Sequence, residues 1–130
     1  MTYSPEALDR ISVLDLAHHA GISLHTNEGE RRVAAVKTKV RRAITEGLFN
    51  GPDLDAAVLT LADQLIGPYD DQAVADFAAL RAHRYINTAE AATTGDLVEG
   101  IRYGLYALYE SLIHTALDLA RTTELARSNA

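Results

Sequence analysis

The last third of the chain carries a long apolar pattern with helical spacing. Its main stripe has apolar residues at intervals of three, four or seven positions. These residues are Val98, Ile101, Leu105, Leu108, Leu112 and Leu119. A second set widens the stripe to more than half of the circumference: Tyr106, Tyr109, Ile113 and Leu117. Asp96 and Glu99 have capping-box spacing, so the pattern predicts one helix from about Asp96 to Arg127. A helix that is apolar over so much of its surface must be covered by other helices or by a second subunit, and this requirement constrains the fold.

Four further helices are predicted before it. The first begins at a Ser4 N-cap, with Pro5 at the first helical position, and ends at Gly21, with Ile22 as the apolar contact that follows such a stop. The others cover about 27–48, 54–65 and 71–93, and each is followed by a turn signal. A length of 130 residues corresponds to one domain, and no strand pattern is present. The sequence therefore predicts a single all-α domain, residues 1–130, folded as a five-helix bundle with a long central C-terminal helix.

The second predicted helix carries a block of positive charge. Its narrow apolar stripe is Val33, Val36, Val40, Ile44 and then Gly47 or Leu48. The block holds half of the 12 Lys and Arg residues of the chain, which are Arg31, Arg32, Lys37, Lys39, Arg41 and Arg42. No acidic residue falls between positions 31 and 42, although the chain has 18 acidic residues and a net charge of −6. With Val33 and Val40 as the buried centre, we expect Arg31, Arg32, Lys39 and Arg42 on the outer face, and Lys37 and Arg41 beside it.

A clustered basic patch in an acidic protein indicates a local binding role. Cations held together on an exposed helix can neutralise phosphates and release counterions, which predicts a nucleic-acid-associated regulator or accessory factor that is not an enzyme. The alternative is a protein–protein adaptor, chaperone or inhibitor that binds an acidic partner. A solvated helix face whose arginines pair with acidic residues of the same chain explains the same pattern without a partner.

Residues 15–23, Asp-Leu-Ala-His-His-Ala-Gly-Ile-Ser, resemble the first helix and turn of bacterial helix-turn-helix regulators. The second helix of that motif should place apolar residues at the positions that Asn27 and Glu30 occupy. Because both residues are polar, no family function is carried over, and Gly21 is equally well explained as an ordinary helix end.

Small residues recur on one face of the last helix, at Gly100, Gly104, Ala107 and Ser111. Glycine in a helix interior costs about 1 kcal/mol relative to alanine, so close approach of another backbone is expected at this face. One candidate for that backbone is the alanine-rich fourth helix of the same chain. The other is the same helix of a second subunit, which predicts a homodimer.

Signals for catalysis or cofactor binding are weak. The chain has no cysteine, no Gly-x-Ser-x-Gly nucleophile motif and no glycine-rich phosphate loop. Glu110 and His114 lie four residues apart, but this spacing differs from the Glu-x-x-His of di-iron bundles. We therefore expect no catalytic residues, no cofactor and no metal. The N-terminus has no signal-peptide pattern and no apolar run reaches 18 residues, so we expect a cytoplasmic protein without a membrane span.

Overall fold

The structure, a computed structural model, describes residues 3–22, 24, 27–67, 80 and 97–128, with side chains of the last segment described for 104–121. The described elements are the α-helices α1 (Pro5–Asp9), α2 (Val13–His19), α3 (Asn27–Thr45), α4 (Leu54–Ile66) and α5 (Leu97–Ser128), with a short 3₁₀ helix at Leu48–Asn50. No strand occurs in these residues. The predicted all-α class is confirmed for this part of the chain.

The N-terminal segment forms two helices, so the predicted single helix from Ser4 to Gly21 is wrong. The Ser4 hydroxyl caps α1 by accepting a hydrogen bond from Ala7 N at 3.2 Å, as predicted. However, the Ser12 hydroxyl accepts a hydrogen bond from Asp15 N at 3.1 Å and begins α2. A serine side chain that caps its own backbone competes with helix continuation, and this local bond breaks the segment after Arg10.

The end of α2 agrees with the sequence prediction. Gly21 adopts a φ of 76°, and its N–H donates to His18 O at 3.0 Å. The N–H of Ile22 donates to Ala17 O at 2.9 Å, and the Ile22 side chain is buried. These two bonds define a Schellman motif, in which a residue with positive φ is followed by an apolar contact.

The buried stripe of α3 is shorter than predicted. Val33, Val36 and Val40 are fully buried, but α3 ends at Thr45 and the chain turns at Gly47. After this turn, Phe49 enters the core and Leu48 is left 36% exposed. The predicted place of Leu48 in the apolar stripe is therefore wrong. That prediction extended the helical period past Thr45, where α3 ends.

Helix α5 packs against α1, α2, α3 and α4. Its buried side chains cover a wide face, as the sequence predicts: Leu105, Leu108, Tyr109, Leu112, Ile113, Ala116, Leu117 and Ala120. The predicted fourth helix, residues 71–93, lies outside the described residues except for Leu80, which is helical and buried. Within the described part of the chain, no helix combines the length and apolar character needed to cross a membrane.

Candidate interaction surface of the third helix

The Arg32 side chain points inward, so its predicted position on the outer face is wrong. Its Nε and Nη2 atoms lie 3.4 and 3.3 Å from the hydroxyl oxygen of Tyr109, a residue of α5 with no exposed surface. Nη2 also lies 3.4 Å from the Leu65 carbonyl oxygen at the end of α4. These are long hydrogen bonds, and each is expected to be weak. Together they place the half-buried Arg32 side chain in the contact between α3, α4 and α5.

Arg31 and Arg42 do lie on the outer face of α3. Each side chain is 73% exposed and pairs with a carboxylate close to it in the sequence, Arg31 with Glu28 and Arg42 with Glu46. The Arg42 Nε to Glu46 Oε1 distance is 3.1 Å. Exposed ion pairs of this kind contribute between 0 and about 1 kcal/mol. Both guanidinium groups can therefore exchange these carboxylates for those of a partner at little cost.

Arg41 ties α3 to α1 through Asp9. The distance from Arg41 Nε to Asp9 Oδ1 is 2.8 Å. The hydrogen bond from Arg41 lowers the pKa of Asp9 below its ordinary value of 3.8, and the charges of Arg41 and Lys37 act in the same direction. The Arg41 charge on this flank of α3 is therefore already paired with a carboxylate of the same chain.

The stability contributed by the Asp9–Arg41 pair is expected to be lost in acid. A carboxyl group whose pKa is lowered by folding stabilises the fold above its unfolded pKa, about 3.9, and the contribution disappears as the pH falls through the lower folded value. Urea unfolding of the wild type and Asp9→Asn can be compared at about pH 7 and about pH 2.5. The wild type should be the more stable protein at neutral pH, and the two should converge in acid. A difference that persisted at low pH would assign the effect to something other than this charge.

Lys39 and Arg42 lie beside a groove formed by the end of α3, the turn at Gly47 and α4. The groove has a volume of about 330 Å³, and its lining residues are Lys39, Arg42, Ala43, Glu46, Gly47, Leu48, Leu61 and Gln64. Ala43 and Leu61 are buried and form an apolar floor, while Leu48 is partly exposed at the side. The sequence did not identify this groove, because the exposure of Leu48 depends on where α3 ends.

The six cations therefore do not form one surface. Arg32 faces the core, and Lys37 and Arg41 lie on the Asp9 side of α3. Lys39 and Arg42 lie on the groove side, and Lys37 and Lys39 are about 160° apart around the helix axis. Arg31 lies on the same face as Arg42, but about 16 Å further along the axis, beside the groove between α2 and α3. What the structure brings together next to the groove at Gly47 is the pair Lys39 and Arg42.

Two further open grooves have an exposed leucine in or beside them. One lies between α4 and α5 and is lined by Leu59, Thr60, Asp63, Tyr106 and Glu110. The Tyr106 hydroxyl donates to Asp63 Oδ1 at 2.5 Å, and Leu59 is 46% exposed. The other groove lies between α2 and α3 and is lined by Val13, Asn27, Glu30, Arg31 and Ala34. Leu14, which follows Val13, is 61% exposed.

The predicted small-residue stripe of α5 is partly covered within one chain. Gly104 is buried, and Ala107 and Ser111 are half-buried, whereas the side-chain position of Gly100 lies outside the described residues. The predicted fourth helix, which is the intrachain candidate for this contact, lies outside the described residues, so the choice between it and a second subunit stays a prediction.

Glu110 and His114 are both half-buried on α5. The described residues contain no group of three or more histidine and acidic side chains placed to hold a metal ion. The pair thus has no third ligand in this part of the chain.

No protein-family model matches the chain, and comparisons with curated proteins and with solved structures find no significant match.

Proposed function

We propose that this chain is a non-enzymatic, cytoplasmic binding protein that recognises another protein through the surface around α3. In this proposal the predicted five-helix bundle around the C-terminal helix is the scaffold. The homodimer predicted from the small-residue stripe stays a prediction, and recognition through α3 does not require it.

The observation that carries the proposal is the division of the basic block. A nucleic-acid surface needs several cations that face the same phosphates, since affinity rises with the number of phosphates neutralised. Here Arg32 contacts Tyr109 of α5, Arg41 pairs with Asp9 of α1, and the two lysines lie on different sides of α3, so the cations are divided between faces of the helix. A small set of charges beside apolar surface is typical of a protein interface, in which an apolar centre has a polar rim.

Nucleic acid is the alternative, and it is favoured by the exposure of Arg31 and Arg42. A direct test is fluorescence anisotropy with a duplex DNA and a single-stranded RNA between about 50 and 200 mM salt. We expect weak binding with a shallow dependence on salt. Counterion release at several phosphates would instead lower log K by about 0.9 per phosphate on duplex DNA for each tenfold rise in salt.

Steep salt dependence that became shallower in the double variant Arg31→Ala with Arg42→Ala would overturn the protein-binding proposal. A matched control is Lys37→Ala, which removes one cation from the opposite flank of α3. If the wild type, the double variant and Lys37→Ala all bind nucleic acid equally weakly, the protein-binding proposal is supported.

A further inference from the structure

We propose that the groove beside Lys39 and Arg42 binds an acidic amphipathic helix from the partner protein. This inference rests on the proposed function and names the site and the kind of segment that it recognises. The apolar face of the segment would cover Leu48 and the floor formed by Ala43 and Leu61. Its carboxylates would lie against Lys39 and Arg42.

The groove offers apolar contact and positive charge together. Leu48 is 36% exposed at the side of the groove, and Leu61 and Ala43, which also line it, are almost completely buried. Its volume of about 330 Å³ is at the lower end of the range for ligand pockets, roughly 300–1,000 Å³. This space suits the anchor side chains of a segment that lies along the groove.

The charges at the rim have a spacing that another helix can match. Lys39 and Arg42 are three residues apart on α3, which places them about 4.5 Å apart along the helix axis. Carboxylates three or four residues apart on a partner helix have a similar spacing, and amphipathic helices bind grooves through anchors at such positions. Lys39 is exposed and has no carboxylate within ion-pair distance in the described part of the chain.

Among the described residues, Glu46 is the only acidic residue that lines this groove, and it pairs with Arg42. Because both side chains are mostly exposed, their ion pair is weak and a partner carboxylate can replace it. Glu46 also repels an acidic segment. Removing the charge of Glu46 should therefore strengthen binding of the acidic segment. If the Arg42–Glu46 pair only stabilised the fold, removing this charge would not strengthen binding.

The other two grooves have no net positive charge among their lining residues. Asp63 and Glu110 line the groove next to Leu59, and Glu30 accompanies Arg31 in the groove next to Leu14. Leu14 and Leu59 are nevertheless exposed apolar residues like Leu48, so they provide matched controls.

The test is selection from a display library with the full chain as bait. The library contains peptides of about 15 residues with Leu at helical spacing and Glu at the remaining positions, together with scrambled peptides of identical composition and versions with Lys in place of Glu. The affinity of enriched peptides is then measured by fluorescence anisotropy. We expect enrichment of acidic amphipathic peptides over both comparison sets.

Variants then locate the binding site. Lys39→Glu with Arg42→Glu should weaken binding roughly tenfold or more, whereas Lys37→Glu, on the opposite flank, should change it by less than about threefold. Leu48→Ser should also weaken binding, and Leu14→Ser and Leu59→Ser should leave it unchanged. Glu46→Gln should strengthen it. Circular dichroism and thermal unfolding of each variant check that these exposed substitutions leave the fold intact.

The outcomes separate this inference from the proposed function. If no acidic amphipathic peptide is enriched, or if peptide binding depends on Leu14 or Leu59 and not on Leu48, the groove assignment is wrong while protein binding elsewhere still stands. If DNA or RNA binds with steep salt dependence and Lys37→Glu weakens it as much as Lys39→Glu does, the proposed function itself is wrong.

Discussion

Replacing Tyr109 with alanine is expected to lower the free energy of unfolding by about 3–5 kcal/mol, the usual cost of removing a buried aromatic ring. Tyr109 is fully buried in α5, and its hydroxyl faces Arg32 of α3. The substitution leaves a cavity where α3 and α5 meet and removes an acceptor from a half-buried guanidinium group. Since domains of this size are stable by only about 5–15 kcal/mol, a loss of this size is a large fraction of the total. Urea unfolding monitored by circular dichroism measures the change.

Two milder variants separate the ring from the hydroxyl. Tyr109→Phe keeps the ring and removes the hydroxyl, and it should cost about 1 kcal/mol because the bonds to Arg32 are long. Arg32→Met keeps much of the side-chain volume and removes the charge, so its cost should be smaller than that of Tyr109→Ala. If Tyr109→Phe were as destabilising as Tyr109→Ala, the hydroxyl and not the packing of the ring would dominate.

Replacing Gly67 with alanine is expected to lower the free energy of unfolding by about 1–3 kcal/mol through backbone strain alone. Gly67 ends α4 with φ 67° and ψ −148°, a region that residues with a side chain rarely adopt. Apart from the neighbouring residues in the chain, a Cβ atom at this position would meet no atom of the described residues within 4 Å. The cost therefore arises from the backbone conformation and not from a clash. Thermal and urea unfolding of the purified variant provide the measurement.

Gly51 is the matched control for this substitution. It has φ −76° and ψ 172°, which any residue adopts, and a Cβ there also meets nothing within 4 Å. Gly51→Ala should be neutral or stabilising by about 0.4–1 kcal/mol, because alanine has fewer unfolded conformations to lose. If Gly67→Ala and Gly51→Ala changed the free energy of unfolding equally, a side chain at position 67 would not strain the backbone.

Local signals in the sequence predicted most of the helix ends correctly. The Ser4 cap, the Gly21 stop, the start of α3 at Asn27 and the end of α4 at Gly67 each depend on a few adjacent residues. The break at Ser12 was missed because the apolar spacing continues across it. Its cap lies inside a segment that is otherwise compatible with one helix.

The candidate site was less predictable, since it depends on contacts between distant residues. The inward position of Arg32 results from its contact with Tyr109, 77 residues further along the chain. Helical periodicity places Arg32 only near the edge of the buried face, where either orientation is possible. The groove at Leu48 likewise forms only when α4 packs next to the turn after α3.

The packing of α5 against α1, α2, α3 and α4 has a consequence for biosynthesis. Synthesis proceeds from the N-terminus, so α1 to α4 leave the ribosome before the helix that covers them. Until α5 follows, the parts of α3 and α4 that pack against it remain accessible to water and to other nascent chains. We therefore expect the growing polypeptide to depend on chaperones until α5 has emerged, and a ribosome stalled before residue 97 to display a chain that a protease readily cleaves.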